Sequence, residues 1–535
     1  MKTIGIGPFL GINNRLPDFA LHGNDGGHFV RAAENVDIDN AGRLRRRRGY
    51  DLIQAMSGAH SIYDDGANVF LVRGATLYKM TSATPYAETL VKLLSSDSRV
   101  SCAPYNGDIY YSNGTDSGRI AASGAWYPWA LPSPAQPTVT SIAGTLPAGR
   151  YQVALTYYNN VTGEEGGCAG STAHELTTDG ALRVAIPGAT TGATHVRVYC
   201  STLNGGVETL QTTVAVGTSS VDLTSLVVNG AQCSAMYQEP MPACTRIFTH
   251  MGRLCGVVGS QLIYSEPYRF GYYRPSQNYI PFAEAISTAI SAQFGVYVAA
   301  DKTYWIPGDI NAPEGVIADV LPYGAVPGTE FSFPHNSMVG WFGDKGVVFA
   351  DTQGQAEAVM SDNIDLSPPG TGHSIVLSSN GFRRVVSCGW CVNLENKAAT
   401  QYTWGIASAS GRYGTRADGI YSMDGEDDAG EPIESLVGLG RQDFGAEEIK
   451  RLPAVYVGAI CEQPLQLRVV CDGPGGMMDY GYSARTSSDS LRNHRIDPGK
   501  GLVANWFDLS LSNITGADFS IASIAFAPIA STRRI

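Results

Sequence analysis

The sequence predicts an all-β fold: a β-propeller with an inserted immunoglobulin- or fibronectin-like sandwich and a C-terminal β-sandwich-like platform. Three observations predict it. Among 535 residues, 62 are Gly, 28 Pro and 27 Tyr, with 44% hydrophobic and only 16% charged residues, the make-up of a chain that turns often between short strands. A unit of strand, Gly- or Asn-containing turn and aromatic or β-branched strand recurs along much of the chain. Helical periodicity is scarce, its best candidate being a short helix around PFAEAISTAISA at 281–292.

The recurring unit is seen first in SIYDDGANVFLVRGATLYKM (61–80) and then in RVSCAPYNGDIYYSNG (99–114), where Asn106-Gly107 marks the turn. It returns in RIFTHMGRLCGVVGSQLIYSEP (246–267), AQFGVYVAADKTYWIPG (292–308), SMVGWFGDKGVVFADTQGQAEAV (337–359) and GTRADGIYSMDG (414–425). Each unit resembles the middle of a propeller blade, whose faces are buried only against neighbouring blades, so such a series predicts a closed ring. A chain of this length is expected to hold roughly two to four domains.

The series breaks once. A linker with Pro132, Pro134 and Pro137 opens a stretch in which Tyr151, Val153, Leu155 and Tyr157 alternate with other residues, and about seven short strands follow in roughly 105 residues. The domains expected are therefore an N-terminal arm with the first strands (1–50), a first propeller segment (51–132), the inserted sandwich (133–240), a second propeller segment (241–450) and the platform (451–535), which ends in the basic tail STRRI.

No apolar run reaches the ~18 residues of a spanning helix, and the N-terminus lacks the long apolar core of a secretory signal, so a soluble, unprocessed chain is expected. Ten Cys are too few for a disulfide scaffold. CGWC at Cys388–Cys391 lacks a second ligand pair for zinc and the strand-to-helix setting of a redox site, and reads as two thiols in a strand.

Two charged clusters stand out. Arg43, Arg45, Arg46, Arg47 and Arg48 put five cations into six residues of a chain whose net charge is -12, an acidity that argues against a freely diffusing DNA-binding protein. In a continuous strand over 42–50, Arg43, Arg45 and Arg47 would share one face and Leu44, Arg46 and Arg48 the other, so neither face could be an ordinary core. The run is bracketed by strand-like NVDID and YDLI, with a turn at Asn40–Gly42. Three readings are open: pairing with carboxylates of the same chain or a neighbouring subunit, contact with passing DNA, or a solvated edge. The second cluster is DGEDDAGE, with Asp424, Glu426, Asp427, Asp428 and Glu431. Its spacing is not that of a calcium loop, and it reads as a solvated acidic loop.

No nucleophile elbow, zinc helix, phosphate loop or dinucleotide fingerprint is present, and no carboxylate pair of a propeller glycosidase can be named, so no enzyme, cofactor or metal is expected.

GINNRLPDFAL followed by RAAENVDIDNAGRLRRRRGY resembles the N-terminal signature of the tail-nozzle proteins of short-tailed bacteriophages, the family of tail tubular protein B and packaged-DNA stabilisation proteins. AGRYQVALTYYNNVTGEEGG with VRVYCSTLNGG resembles the family's inserted sandwich, GRLCGVVGSQLIYSEP its blade hairpin, and GKGLVANWFDLSLSNITGADFSIASIAFAPI its C-terminal segment. These segments cover about half the chain in the family's order. The resemblance implies a virion tail component, assembled in the host bacterial cytoplasm as a ring, a hexamer, beneath the portal and adaptor. The ring would form the channel for genome retention and ejection, touch DNA only transiently, and dock tail fibres or tailspikes and a needle or plug. On that reading the arginine run lies at a subunit boundary or faces DNA, and the acidic run is a channel or gate loop. The alternatives are a surface propeller and sandwich that binds host polysaccharide, and a propeller glycosidase.

Overall fold

The computed structural model of the chain describes residues 3–530 apart from 24–25, 314, 335, 446, 474–475 and 500, so the STRRI tail lies outside the described residues. The elements described are β-strands and one three-residue 3-10 turn at Asp18–Ala20. The helix expected over 281–292 is replaced by strand Thr288–Ala292, paired antiparallel with Gly295–Ala299. Thr288, Ala289, Ile290 and Ala292 are all buried, so packing on both faces overrides the helix propensity of an Ala-rich stretch.

The protein is an all-β chain built on a β-propeller. Its repeating element is a small antiparallel sheet, formed by strands within Ala59–Leu93, Ser101–Tyr127, Arg246–Pro281, Thr288–Pro313, Phe331–Ala358, Ser374–Gln401 and Ser408–Gly425. The tight turns explain why consecutive strands pair. Asn106 and Gly107 both have positive φ, at 50° and 85°, as do Asn380 and Gly381 at 55° and 81°, the two-residue geometry that matches strand twist. The last sheet takes its outer strand from far upstream: Gly49–Ala55 pairs antiparallel with Gly419–Gly425.

The chain divides into two compact units. One comprises Met1–Gly74, Tyr78–Thr89 and Asp319–Ile535; the other comprises Ala75–Leu77 and Leu90–Ala318. The second contains the inserted sandwich. Val139–Leu146, Gly180–Ala185 and Ser220–Leu223 form one sheet; Thr172–Leu176, Gly149–Tyr158, His195–Ser201 and Glu208–Ala215 form the other. Tyr151, Val153, Leu155, Leu182, Val184, Val196 and Val198 pack together as its core. The apolar alternation along Gly149–Tyr158 is the cause.

The first unit holds the platform, also a pair of sheets. Val455–Cys461, Phe519–Phe526 and Ser488–Ile496 lie in one sheet with the N-terminal strands Ile4–Ile6, Val36–Ile38 and Leu44–Arg46. Leu436–Gln442, Phe507–Ser512, Gln466–Gly473 and Gly476–Ser483 lie in the other with Ala32–Glu34, continuing the sheet of Ser374–Gln401. Strands Ile4–Ile6, Ala32–Glu34, Val36–Ile38 and Leu44–Arg46 are thus woven into the platform, and Val36, Leu44, Val455, Val457, Ile521 and Phe526 share its core.

Candidate functional site: an arginine–carboxylate junction

The two charged clusters meet. The ladder between Gly49–Ala55 and Gly419–Gly425 ends with Gly49 opposite Gly425, which sets the arginine run directly before the first strand beside the acidic run that begins at the end of the second. Neither Gly tolerates a side chain there: a Cβ on Gly49 would lie 1.8 Å from the Asp427 carbonyl oxygen, and one on Gly425 2.8 Å from the Tyr50 backbone. The Tyr50 N–H donates to the Asp427 carbonyl at 2.9 Å.

The strand expected over 42–50 is interrupted. Leu44–Arg46 is strand, Arg47 and Arg48 are not, and strand resumes at Gly49. The break abolishes strict alternation, which is why Arg46 and Arg47, adjacent in sequence, are both buried. Arg47 donates to both carboxylate oxygens of Asp428, at 2.8 and 2.6 Å, and through Nε to Asn35 Oδ1 at 2.8 Å. Arg46 lies 3.5 Å from Glu426 and 3.4 Å from Asp518. Arg48 pairs with Asp424 at 3.1 Å and with Glu426. Burial lowers the Arg48 pKa, but hydrogen bonds and charge from Glu426 and Asp424 outweigh it and hold the guanidinium above its ordinary value. Arg45 pairs instead with Asp39 at 3.0 Å, and Arg43 closes the same turn through its backbone, its carbonyl accepting from the Asp39 N–H. Asp427 accepts from the Gly430 N–H through its carboxylate, and Glu431, exposed, closes the loop by backbone hydrogen bonds with Asp428.

Arg46, Arg47 and Arg48 are therefore paired with carboxylates of their own chain. A fork of guanidinium donors on one carboxylate fixes distance and angle together, so Arg47 and Asp428 act as a bolt between the platform and the last propeller sheet. A double-mutant cycle with Arg47→Met and Asp428→Asn is expected to give a coupling of about 1–3 kcal/mol by chemical denaturation. By contrast Arg183→Ala, which breaks the exposed Arg183–Asp222 pair, is expected to leave the melting temperature unchanged.

Behind the junction lies a cluster that the sequence did not reveal. Asp37 and Arg384 are 0% and 1% exposed and lie 3.2 Å apart; the Tyr402 hydroxyl donates to Asp37, and Arg384 Nε donates to that hydroxyl at 2.9 Å. Burial, first, holds the Tyr402 phenol far above its ordinary pKa. Asp37 Oδ2 and Arg384 Nη1 are buried without a hydrogen-bond partner. Cys391 adjoins Asp37 and its thiol is pushed up by burial, while Cys388 occupies the turn before Trp390–Asn393 at φ 51°; both are free thiols. Among the described residues no group of His, Cys, Asp and Glu is placed to hold a metal ion.

In the second unit, a cleft of about 290 Å³ is lined by Tyr105, His250, Met251, Phe270, Ser291 and Gln293. Tyr105 and Phe270 stack at 3.7 Å. His250 is buried between Ser291 Oγ at 2.8 Å and the Gly308 carbonyl at 2.9 Å, and burial, outweighing the Gly308 hydrogen bond, lowers its pKa below 6.5. The unfolded chain therefore binds a proton there that the folded chain refuses. This contribution to stability is expected to be full above pH ~6.5 and to decline as pH falls below it, a decline that His250→Gln removes in melts at pH 5 and 7.5.

No family model matches the chain, and no curated protein does. Solved structures do. An exo-β-1,3-galactanase from Phanerochaete chrysosporium is 10% identical, with 80% of this chain and 95% of that one covered and a TM-score of 0.20. BamB from Moraxella catarrhalis is 8% identical over 70% and 98%, with a TM-score of 0.29. A family 43 arabinoxylan arabinofuranohydrolase from Bacillus subtilis is 12% identical over 97% and 98%, with a TM-score of 0.17. Likenesses this distant concern the fold alone. The expectation that the chain is no enzyme is withdrawn, since glycoside hydrolases stand among the solved structures it matches.

Proposed function

We propose that this chain is a structural component of a short bacteriophage tail, a nozzle ring below the portal and adaptor through which the genome passes. The observation that carries the reading is the collinear set of segments from GINNRLPDFAL to the C-terminal GKGLVANWF stretch, together covering about half the sequence. The charge distribution supports it. With Arg46, Arg47 and Arg48 consumed by internal carboxylates, a chain of net charge -12 offers a polyanion little to hold, as a conduit for DNA requires. Negative-stain images of the purified protein mixed with a portal–adaptor complex test it: a ring with an open channel capping the complex is expected, and monomers that ignore the complex refute it.

A second reading, a propeller that binds or cleaves polysaccharide, is favoured by one observation. Tyr268 and Phe294 are exposed near the aromatic cleft, Tyr268 against the Met251–Gly252 turn and Phe294 directly after Gln293 of its lining. Exposed rings beside hydroxyl and amide groups suit the apolar face and hydroxyls of a sugar. On this reading Tyr268→Ala lowers affinity for a bound glycan at least about tenfold in calorimetric titration. A screen over envelope polysaccharides with no binding sets the reading aside.

A further inference from the structure

Two thiols meet beneath the segment that leads out of the inserted sandwich. On the sheet of Gly149–Tyr158 and His195–Ser201, Val153, Leu155, Val198 and Cys200 face the sandwich core, so Ala154 and Tyr199 face the other side. The exit segment covers that side. The Cys233 N–H donates to the Glu208 carbonyl at 3.0 Å, the Cys168 N–H to the Ala235 carbonyl at 3.0 Å, and the Tyr237 N–H to the Cys168 carbonyl at 2.7 Å. Cys168 and Cys233, 0% and 5% exposed, thereby pack with Ala154, Tyr199 and Ala235 in one small core. Both are free thiols.

A hydrogen bond joins the two thiols; more than any other influence it holds Cys168 below its ordinary pKa and pushes Cys233 above its own. Met236 Sδ lies 3.4 Å from Cys168 Sγ. The cysteines that oxidise readily are those of low pKa with a second thiol in reach. Burial instead pushes up the thiols of Cys200, Cys244, Cys255 and Cys391. The pair is also shallow. Gln232, Ser234 and Tyr237, flanking Cys233, are exposed, so a small oxidant has one layer of chain to pass.

We propose that Cys168 and Cys233 are a redox pair that a peroxide closes to a disulfide, stapling the exit segment 231–238 to the sandwich loop 159–171. The Cys168 sulfur attacks one peroxide oxygen: the S–O bond forms as the O–O bond breaks, and the departing hydroxide takes the Cys168 proton and leaves as water. The Cys233 sulfur then attacks the sulfenic sulfur: the S–S bond forms, the S–O bond breaks, and hydroxide leaves as water with the Cys233 proton. Two thiols lose two electrons between them, and one peroxide becomes two waters. The staple spans about 65 residues of chain and stabilises the fold by constraining its unfolded state. A reducing compartment keeps the pair as thiols, and an oxidising one closes it.

Non-reducing peptide mapping of the full chain tests it, after dithiothreitol alone and after subsequent hydrogen peroxide. The reduced chain, once denatured, is expected to titrate ten thiols and the oxidised chain two fewer. The oxidised chain is expected to yield a Cys168–Cys233 cross-linked peptide, lighter by two hydrogen atoms and opened again by dithiothreitol. The cross-linked parent is expected to melt at least about 4 °C above the reduced parent, a gain absent from Cys233→Ala. Peroxide treatment that leaves both cysteines open to alkylation, joins other cysteines instead, or yields only Met236 sulfoxide overturns the proposal. A cross-link with no rise in melting temperature overturns the staple. The mapping uses the parent alone, so it decides the matter even where Cys233→Ala fails to fold.

Discussion

Replacing Gly49 by alanine is expected to detach the last propeller sheet from the platform and to cost more than about 3 kcal/mol. The added Cβ would sit 1.8 Å from the Asp427 carbonyl oxygen and 2.4 Å from its carbon, and those are backbone atoms that no rotamer change can move. Relief requires the 426–431 loop to lift, which breaks the Tyr50 hydrogen bond to Asp427 and pulls Asp428 off Arg47. Gly370→Ala is the control, since a Cβ there meets nothing within 4 Å, and its effect is expected within about 0.5 kcal/mol. Chemical denaturation of the two variants, followed by tyrosine and tryptophan fluorescence, separates the outcomes. Equal midpoints would refute the idea that the loop is clamped against Gly49.

Arg384→Met is expected to cost about 3–5 kcal/mol, because it strands the Asp37 carboxylate in a site where neither partner sees solvent. The Tyr402 hydroxyl remains as a donor, yet a neutral donor recovers only a fraction of what the guanidinium supplied. Adding Asp37→Leu to Arg384→Met is expected to recover much of the loss, since removing both charges also removes the burden of Asp37 Oδ2 and Arg384 Nη1, which lack partners already. If the double variant is no more stable than the single one, the network is held by contacts other than this ion pair.

The hairpins were legible because their determinants are local. Asn106-Gly107 can hardly be anything but a tight turn, and the Pro-rich linker at 132–137 separates the sandwich from the blade before it. The sheet at Ser374–Gln401 escapes the recurring pattern, although its turn is Asn380-Gly381, because Arg383 and Arg384 hide its alternation. Arg384 is in fact buried, its charge met by an aspartate over three hundred residues away. Pairings of that kind leave no trace at short range. The arginine run shows the same limit more finely: its residue types announce an ionic site, but side chains alternate strictly only along an unbroken strand, and the break at Arg47 decides which guanidiniums are buried. That the carboxylates at 424–431 would be the partners followed only from a ladder ending at Gly49 and Gly425.

The pairing of Ile4–Ile6 with Ile524–Phe526 sets an order of events during synthesis. At ordinary elongation rates the first strand leaves the ribosome on the order of a minute before its partner exists. Throughout that interval the nascent segment 4–46 carries unpaired strand edges and the apolar side chains of Val36, Ile38 and Leu44, which become core only when the strands of 455–526 arrive. A message cut short before the codons for Phe519–Phe526 therefore yields a polypeptide with a permanently unfinished platform, conspicuous to chaperones and proteases.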